Sequence, residues 1–352
     1  MSDAYAAAGV DTRAADRAVA ALVDVLRGVE PGRPSRVVPL PGHYAAVLRV
    51  APNLGVAIGT DGVGSKLIVA EQAGRLDTVG IDCVAMNVND IVCVGAEPLA
   101  LVDYLAVEEA DADRLAAIAR GLRTGAQLAG VEIPGGEVAV LPELIRGHPS
   151  PGGFDLTATC VGTVALDAIV SGRACAPGDA LIGMPSSGLH SNGFSLARRA
   201  LADLELAARP PLLGGDTVAD ALLAPTVIYV RAVLALLRSG LPVHGLAHIT
   251  GGGLLNLRRL HPQVGWSVEE PLPAPPIHAL VQEHGAVAEA EMWEVFNMGC
   301  GFVAVVPDAH ADAAATLLAG HQPGTRRIGT VTGRAGEIAV PPRGVRLQSF
   351  DG

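Results

Sequence analysis

Several short segments of this chain gather residue types that can hold phosphates, a cation or a proton. In Gly59-Thr60-Asp61-Gly62-Val63-Gly64-Ser65-Lys66-Leu67, glycines follow an apolar run and precede a helical one. Backbone N–H groups at such a helix start can cradle a phosphate. The segment lacks the Gly-Lys-Ser/Thr order of a Walker loop, and Leu67 stands where a dinucleotide fingerprint needs its third glycine. Asp61 would repel a bare phosphate, so its presence points to Mg2+ between carboxylate and ligand. The structural alternative is a capping Asp in a glycine-rich turn. Lys66 is the single lysine of the chain; every other basic residue among the 25 Lys plus Arg is arginine. A compact ammonium and a planar guanidinium are not interchangeable where one tight position must be reached.

In Gly80-Ile81-Asp82-Cys83-Val84-Ala85-Met86-Asn87-Val88-Asn89-Asp90, positions 82, 86 and 90 share one helical face with Asn87 beside them. Carboxylates on an apolar stripe are expensive unless paired or bound to a metal. Pro134-Gly135-Gly136-Glu137 reads as a tight turn presenting one carboxylate. Ser186-Ser187-Gly188-Leu189-His190-Ser191-Asn192-Gly193 concentrates donors before a helix, and His190 can exchange a proton near neutral pH. It lacks the Gly-x-Ser-x-Gly spacing of a nucleophile elbow. His248-Ile249-Thr250-Gly251-Gly252-Gly253 and Phe296-Asn297-Met298-Gly299-Cys300-Gly301 add two more glycine loops. Together these segments suit a site for two phosphorylated molecules and Mg2+.

The elements that must position them alternate between strand and helix. Periodicity predicts helices over 14–28, 65–73, 82–95, 111–129, 194–204, 219–239 and 308–319, and strands over 37–38, 45–50, 56–59, 154–164, 180–184 and 301–306. The pattern is α/β, with two mixed domains divided near residue 165: 1–165 and 166–352. No short-period repeat appears, which excludes solenoids and propellers. The Pro271–Pro276 stretch reads as a surface connector.

The chain has 352 residues, 50% apolar and 17% charged, enough for about two domains. Its 36 acidic against 25 basic residues give a net charge of −11, which argues against a diffuse grip on nucleic acid or an anionic membrane. No apolar run approaches a membrane span, and the first residues lack the basic and apolar regions of a secretory signal. Five scattered cysteines with no Cys-x-x-Cys pair fit reduced packing thiols. The expectation is a cytoplasmic protein.

The order Gly-Thr-Asp-Gly-Val-Gly-Ser-Lys at 59–66, Gly-Ile-Asp at 80–82, Asn-Asp at 89–90, Gly-Ala-Glu-Pro at 95–98, Gly-Gly-Glu at 135–137, Ser-Ser-Gly-Leu-His-Ser-Asn-Gly at 186–193, His-Ile-Thr-Gly-Gly-Gly at 248–253 and Phe-Asn-Met-Gly at 296–299 resembles the aminoimidazole ribonucleotide synthetase (phosphoribosylformylglycinamidine cyclo-ligase) family. The likeness extends to the opening Tyr5-Ala-Ala-Ala-Gly9-Val-Asp11. It implies two α/β domains of α+β type, a homodimer whose N-terminal sheets pair into a barrel, and a cleft between the domains. It also implies ATP, Mg2+ and a phosphorylated ribonucleotide substrate closed to an imidazole, with release of ADP and phosphate.

Carried over by position, the resemblance places Asp61, Asp90 and Glu137 on Mg2+ and Lys66 on a phosphate oxygen, with Asp82 and Asn87 as support. Gly59, Thr60, Gly62, Gly64 and Ser65 complete the nucleotide side. Ser187, His190, Ser191 and Asn192 would hold substrate or act on the leaving phosphate, and His248, Thr250, Gly251, Gly252 and Gly253 would form the substrate-phosphate side. Lys66, Asp90, His190 and His248 are the expected catalytic set. The chain departs from many members at Leu40-Pro41-Gly42-His43-Tyr44, which replaces a richer glycine run, and at Val138-Ala139-Val140-Leu141-Pro142, which omits a hydroxyl and a second carboxylate. Those departures keep two alternatives in view: a paralogue that phosphorylates another acceptor, and a non-catalytic nucleotide-binding dimer.

Overall fold

The computed structural model describes residues 12–347. The Tyr5–Asp11 motif and the start read for a signal lie outside the described residues. Helix α1 (Thr12–Leu26) comes first, with Val19, Leu22 and Leu26 left exposed.

The first sheet contains β1 (Val37–Val38), β2 (Ala46–Ala51), β3 (Leu54–Gly62), β4 (Glu97–Val107), β5 (Glu132–Val140) and β6 (Phe154–Ala165), in the order β1-β2-β3-β6-β4-β5. All neighbours are antiparallel except β4 and β5. Helices α2 (Lys66–Ala73), α3 (Asp77–Cys93) and α4 (Ala112–Ala129) belong to this half, and α3 packs on the sheet. Asp111 caps α4 by accepting from the N–H groups of Asp113 and Arg114. Glycines let α3 and α4 touch: a Cβ on Gly80 would lie 2.4 Å from the Leu122 nitrogen.

Alternation gives the sheet two unlike faces. Gly55 and Ala57 of β3 and Leu101 and Leu105 of β4 are buried on the helix side, whereas Leu99, Val102 and Tyr104 stand exposed on the other.

The second sheet orders β7 (Ala180–Pro185), β8 (Gly245–His248), β9 (Gly265–Val268), β10 (Cys300–Val306), β11 (Arg326–Thr332), β12 (Ile338–Val340) and β13 (Val345–Leu347) as β13-β12-β9-β11-β7-β10-β8. Every residue of β10 is buried, as expected of a central strand covered on both faces. Helices α5 (Phe194–Ala200), α6 (Val218–Leu222), α7 (Val230–Arg238), α8 (Pro276–Gly285), α9 (Glu289–Val295) and α10 (Ala311–Ala319) complete the half. The chain is thus mixed α/β with two sheet-containing domains.

Three expectations are corrected. Strand β3 runs on through Gly62, because its pairing with β6 continues to Gly62–Thr157, so only Val63-Gly64-Ser65 is left as a loop before α2. Gly135-Gly136-Glu137 lies within β5 rather than in a turn; β5 is an edge strand, and a register shift between Ala100 and Val102 accommodates Pro134. The 219–239 helix is two helices, broken around Pro225, where backbone carbonyls turn toward α2 and α3. All five cysteines are free and buried. Among the described residues no helix is long and apolar enough to cross a membrane.

Candidate active site

Helix α3 carries the site. From Asp82 through Asn89 every residue is buried, so the polar members of that run must find partners inside the protein. Asp82 faces Lys66, with the ammonium 2.8 Å from one carboxylate oxygen and 3.0 Å from the other. Lys66 also donates to the carbonyls of His190 at 3.0 Å and Ala224 at 2.8 Å. The same Asp82 accepts from the Thr226 N–H at 2.7 Å and its hydroxyl at 2.6 Å. Burial lowers the Lys66 pKa from its ordinary value, and Asp82 opposes that shift. Lys66 is therefore spent as a buried clamp between the two halves, and its ammonium is not placed as a free phosphate donor. The arrangement explains why a lysine stands here: one compact head meets acceptors from three segments, which a planar fork does not match.

One turn further along α3, Asn87 binds the end of β3 twice: its amide donates to the Asp61 carbonyl at 3.1 Å and accepts from the Asp61 N–H at 3.0 Å. Asp61 then lies within electrostatic reach of Asp90. Burial, and next the charge of Asp90, raise the Asp61 pKa; the Gly62 N–H, His248 and Arg259 oppose the rise. Asp90 is held from behind by fully buried His248, whose Nδ1 lies 2.9 Å from it. On the far side of that ring, Nε2 lies 3.4 Å from the Asn89 amide nitrogen. Asn89 is oriented by its bonds to the Val227 carbonyl and the Tyr229 N–H, so its nitrogen faces His248 as a donor. His248 accordingly carries its proton on Nδ1 and gives it to Asp90.

Asp61 and Asp90 are two carboxylates near enough for the charge of one to shift the other. Among the described residues no group of three or more His, Cys, Asp or Glu is arranged to hold a metal. Two carboxylates could hold Mg2+ if ligand phosphates and water completed its shell, and a divalent ion there would offset the part of the Asp61 shift that comes from Asp90. Glu137 is not part of this pair. It shares a sheet row with Gly62, Thr157 and Tyr104, three strand spacings from β3, or roughly 14 Å. Its row faces the side of the sheet away from Asp61 and Asp103. Thr60 also turns to that side, bonding the Ala158 carbonyl and Thr159. Gly59 and Gly62 are β3 backbone, Gly64 is left-handed at φ 71, and Ser65 precedes α2 with its hydroxyl 3.4 Å from Ser195.

The loops at 186–193, 248–253 and 296–301 converge. A Cβ on Gly251 would lie 3.2 Å from the Asn192 side-chain oxygen. Asn256 gathers the Thr250, Gly251 and Gly253 carbonyls, and Asn297 ties Ser186 to the Gly188 carbonyl. Ser191 meets Thr226 at 3.1 Å, and Ser187 bonds the Pro225 carbonyl. Close by, a Cβ on Gly301 would lie 2.5 Å from the His190 ring, so only glycine lets β10 pass. His190 has φ 61, an uncommon conformation for a residue with a side chain. Its Nε2 accepts from the Ser187 N–H, which leaves the proton on Nδ1, and that atom is buried with no hydrogen-bond partner. The Asn192 amide nitrogen is likewise buried and unpartnered. Burial, then the charges of His248, Lys66 and His278, lower the His190 pKa well below its ordinary value, so it is a neutral donor at pH 7 rather than a resting acid.

Asn89, Thr226, Asn256 and Asn297 hold the site together yet were absent from the expected set. Asparagine occurs only six times in the chain, and that scarcity was the available signal for three of them; Thr226, in an Ala-Pro-Thr run, offered none.

Residues 42–164 match the family model for the N-terminal domain of AIR synthase related protein, and residues 176–340 match that for its C-terminal domain. The phosphoribosylformylglycinamidine cyclo-ligase of Thermococcus kodakarensis is 46% identical over 97% of this chain and 99% of its own. That of Methanothermobacter thermautotrophicus is 49% identical over 85% of this chain and 86% of its own. In fold, the chain is similar to hydrogenase maturation protein HypE in complex with ATP, with a TM-score of 0.61 and 23% identity, covering 89% of this chain and 91% of that one. It is also similar to thiamine-monophosphate kinase from Stenotrophomonas maltophilia, with a TM-score of 0.61 and 20% identity, covering 87% and 91%.

Proposed function

The chain belongs to the AIR synthase related family, and from that premise we propose how its residues carry out the reaction of its relatives. It is a cyclo-ligase of purine biosynthesis: formylglycinamidine ribonucleotide is closed to aminoimidazole ribonucleotide with formation of a C–N bond. The observation in the structure that best supports the chemistry is the Asp61–Asp90 pair, backed by His248 and set beside converging glycine loops.

An amide oxygen is a poor leaving group, so ATP is spent on it. The γ-phosphoryl passes to the amide oxygen, giving ADP and an iminophosphate. The substrate's own amidine nitrogen then attacks the activated carbon, and the C–O bond breaks as phosphate leaves. No protein nucleophile is needed, and the residues act by placement and charge. Mg2+ on Asp61 and Asp90 supplies neutralisation of the phosphoryl oxygens when bound. His248 keeps Asp90 in position, and Asn87 fixes the end of β3 that carries Asp61. Lys66 holds the His190 carbonyl, so the Nδ1–H of His190 and the Asn192 amide remain free to donate to substrate or to the departing phosphate. Thr250 to Gly253 offer backbone to the same ligand.

The exposed apolar face of the first sheet, with Leu99, Val102 and Tyr104, is the surface we assign to pairing with a second copy in a homodimer. The division between domains falls near residue 165, and the setting is cytoplasmic. The test is to incubate the protein with ATP, Mg2+ and formylglycinamidine ribonucleotide and to follow ADP and aminoimidazole by mass spectrometry. Equal yields of both are expected. ADP without ring closure would indicate another acceptor, and ATP binding with neither product a non-catalytic dimer.

A further inference from the structure

A cavity of about 580 Å³ lies where the segment before Tyr44, the connector at Ser171 and Arg173, and the stretch Arg258–Pro262 meet. Its lining includes His43, Arg173, Arg258, Arg259 and His261 and no carboxylate, in a chain whose net charge is −11. Two of the arginines are exposed to it: Arg173 reaches the Pro39 carbonyl at 3.4 Å, and the Arg259 guanidinium sits 5.0 Å over the Tyr44 ring. Arg258 is a tether instead, bonded to the Gly336 and Leu347 carbonyls. His43 is the sharper sign. Its Nδ1 accepts from the Tyr44 N–H at 3.0 Å, so the proton is on Nε2, and that atom is buried without a hydrogen-bond partner among the described residues. A donor beside arginines and lacking an acceptor calls for an oxyanion.

We propose that this cavity seats the phosphate monoester of the ribonucleotide substrate, with His43 Nε2–H, Arg173 and Arg259 as its donors. The assignment rests on the reading that the substrate is a phosphorylated ribonucleotide. It moves the anchor from Thr250–Gly253 to the far end of the same segment: the short 3-10 turn Gly253–Arg259 runs from that loop to the cavity, and Tyr44 bonds the Asn256 carbonyl midway at 3.3 Å. His43, which departs from the family's glycine run, thus supplies a side-chain donor.

The test is calorimetric titration of the full chain with ribose 5-phosphate, inorganic phosphate and Mg-ATP, on the wild type, Arg259→Met and Arg173→Ala. Both positions are exposed, so folding is not at stake. Each variant is expected to bind ribose 5-phosphate about 10- to 100-fold more weakly, as for one lost charge-assisted bond, with Mg-ATP affinity held within about two-fold. Unchanged ribose 5-phosphate affinity in both variants would overturn the assignment, and so would a loss confined to Mg-ATP. Inorganic phosphate binding as tightly as ribose 5-phosphate would mark a free-phosphate site and also overturn it. Binding requires no turnover, so a wild type that binds ribose 5-phosphate through these arginines but forms no aminoimidazole would refute the activity alone. An active enzyme whose substrate KM is untouched in both variants would refute the pocket alone.

Discussion

Replacing Lys66 by Met should separate the clamp from the chemistry. Lys66 and Asp82 are both fully buried and 2.8 Å apart, so the methionine leaves a carboxylate whose charge has no counter-ion. Breaking such a pair from one side costs about 3–5 kcal/mol. At about 2–4 °C per kcal/mol for a domain of this size, the melting temperature should fall by roughly 6–20 °C. Thr226 still donates twice to Asp82, which favours the lower half of that range. Adding Asp82→Asn to Lys66→Met removes the stranded charge and keeps an acceptor for Thr226, so at least half of the loss should return. In steady state the effect should fall on kcat, because the His190 backbone loses its anchor; KM for ATP should stay within about two-fold, since the ammonium is already engaged by Asp82 and the His190 and Ala224 carbonyls. Thermal denaturation and ATP titration of the two variants decide the matter. A Lys66→Met protein as stable as wild type, a double variant no better than the single, or a selective rise in the ATP KM would refute the clamp.

Asp61→Asn should lower turnover by about 100-fold or more while leaving the metal-free protein at least as stable, because it removes a half-buried like charge; a clear drop in melting temperature without metal would contradict this. The raised Asp61 pKa also predicts that metal-free protein gains stability as pH falls through that folded-state value, a gain that added Mg2+ should offset in denaturation curves. His278 has the opposite sign: burial first of all lowers its pKa from 6.5 to about 4, so its contribution is intact above pH 6.5 and lost as pH falls toward 4, at a cost of roughly 3 kcal/mol that His278→Leu should remove from urea-unfolding profiles. His248→Gln should reduce kcat about 10- to 100-fold by freeing Asp90, and unaltered kcat would sink its positioning role. The five thiols, buried and pushed to high pKa, should resist a thiol reagent in the native protein and react fully in denaturant.

The sequence made local features legible and left the long-range ones hidden. Helix α4 was readable from its 3.6-residue period, the Asp111 cap and the Gly130 stop, because those signals lie within the element. The pairing that carries β3 on to Gly62 was not, since a partner strand about a hundred residues away supplies it. Asp61 was readable as a candidate from an acid inside a glycine-rich loop and Asp90 from a carboxylate on an apolar helical stripe, and the fold brings their charges within reach of each other. Glu137 was read as a carboxylate on a tight turn, yet it lies in an edge strand whose alternation turns it to the other face. Lys66 was conspicuous for its rarity, but whether its ammonium faces a phosphate or Asp82 depends on carbonyls at 190 and 224, which no local pattern announces.

Helix α3 sits against the first sheet on one side and against β8 and α7 on the other. Its polar residues find partners in both halves, so the two halves are not interchangeable modules. A chain cut in the connector would expose to water an ion pair and an asparagine on one fragment, while the other fragment would carry a buried histidine and carbonyls placed for an ammonium it no longer meets. Recombination that swaps one half for that of a distant relative would face the same mismatch. Along this seam, inheritance should therefore treat residues 66, 82, 89, 226 and 248 as one unit, changed together or not at all.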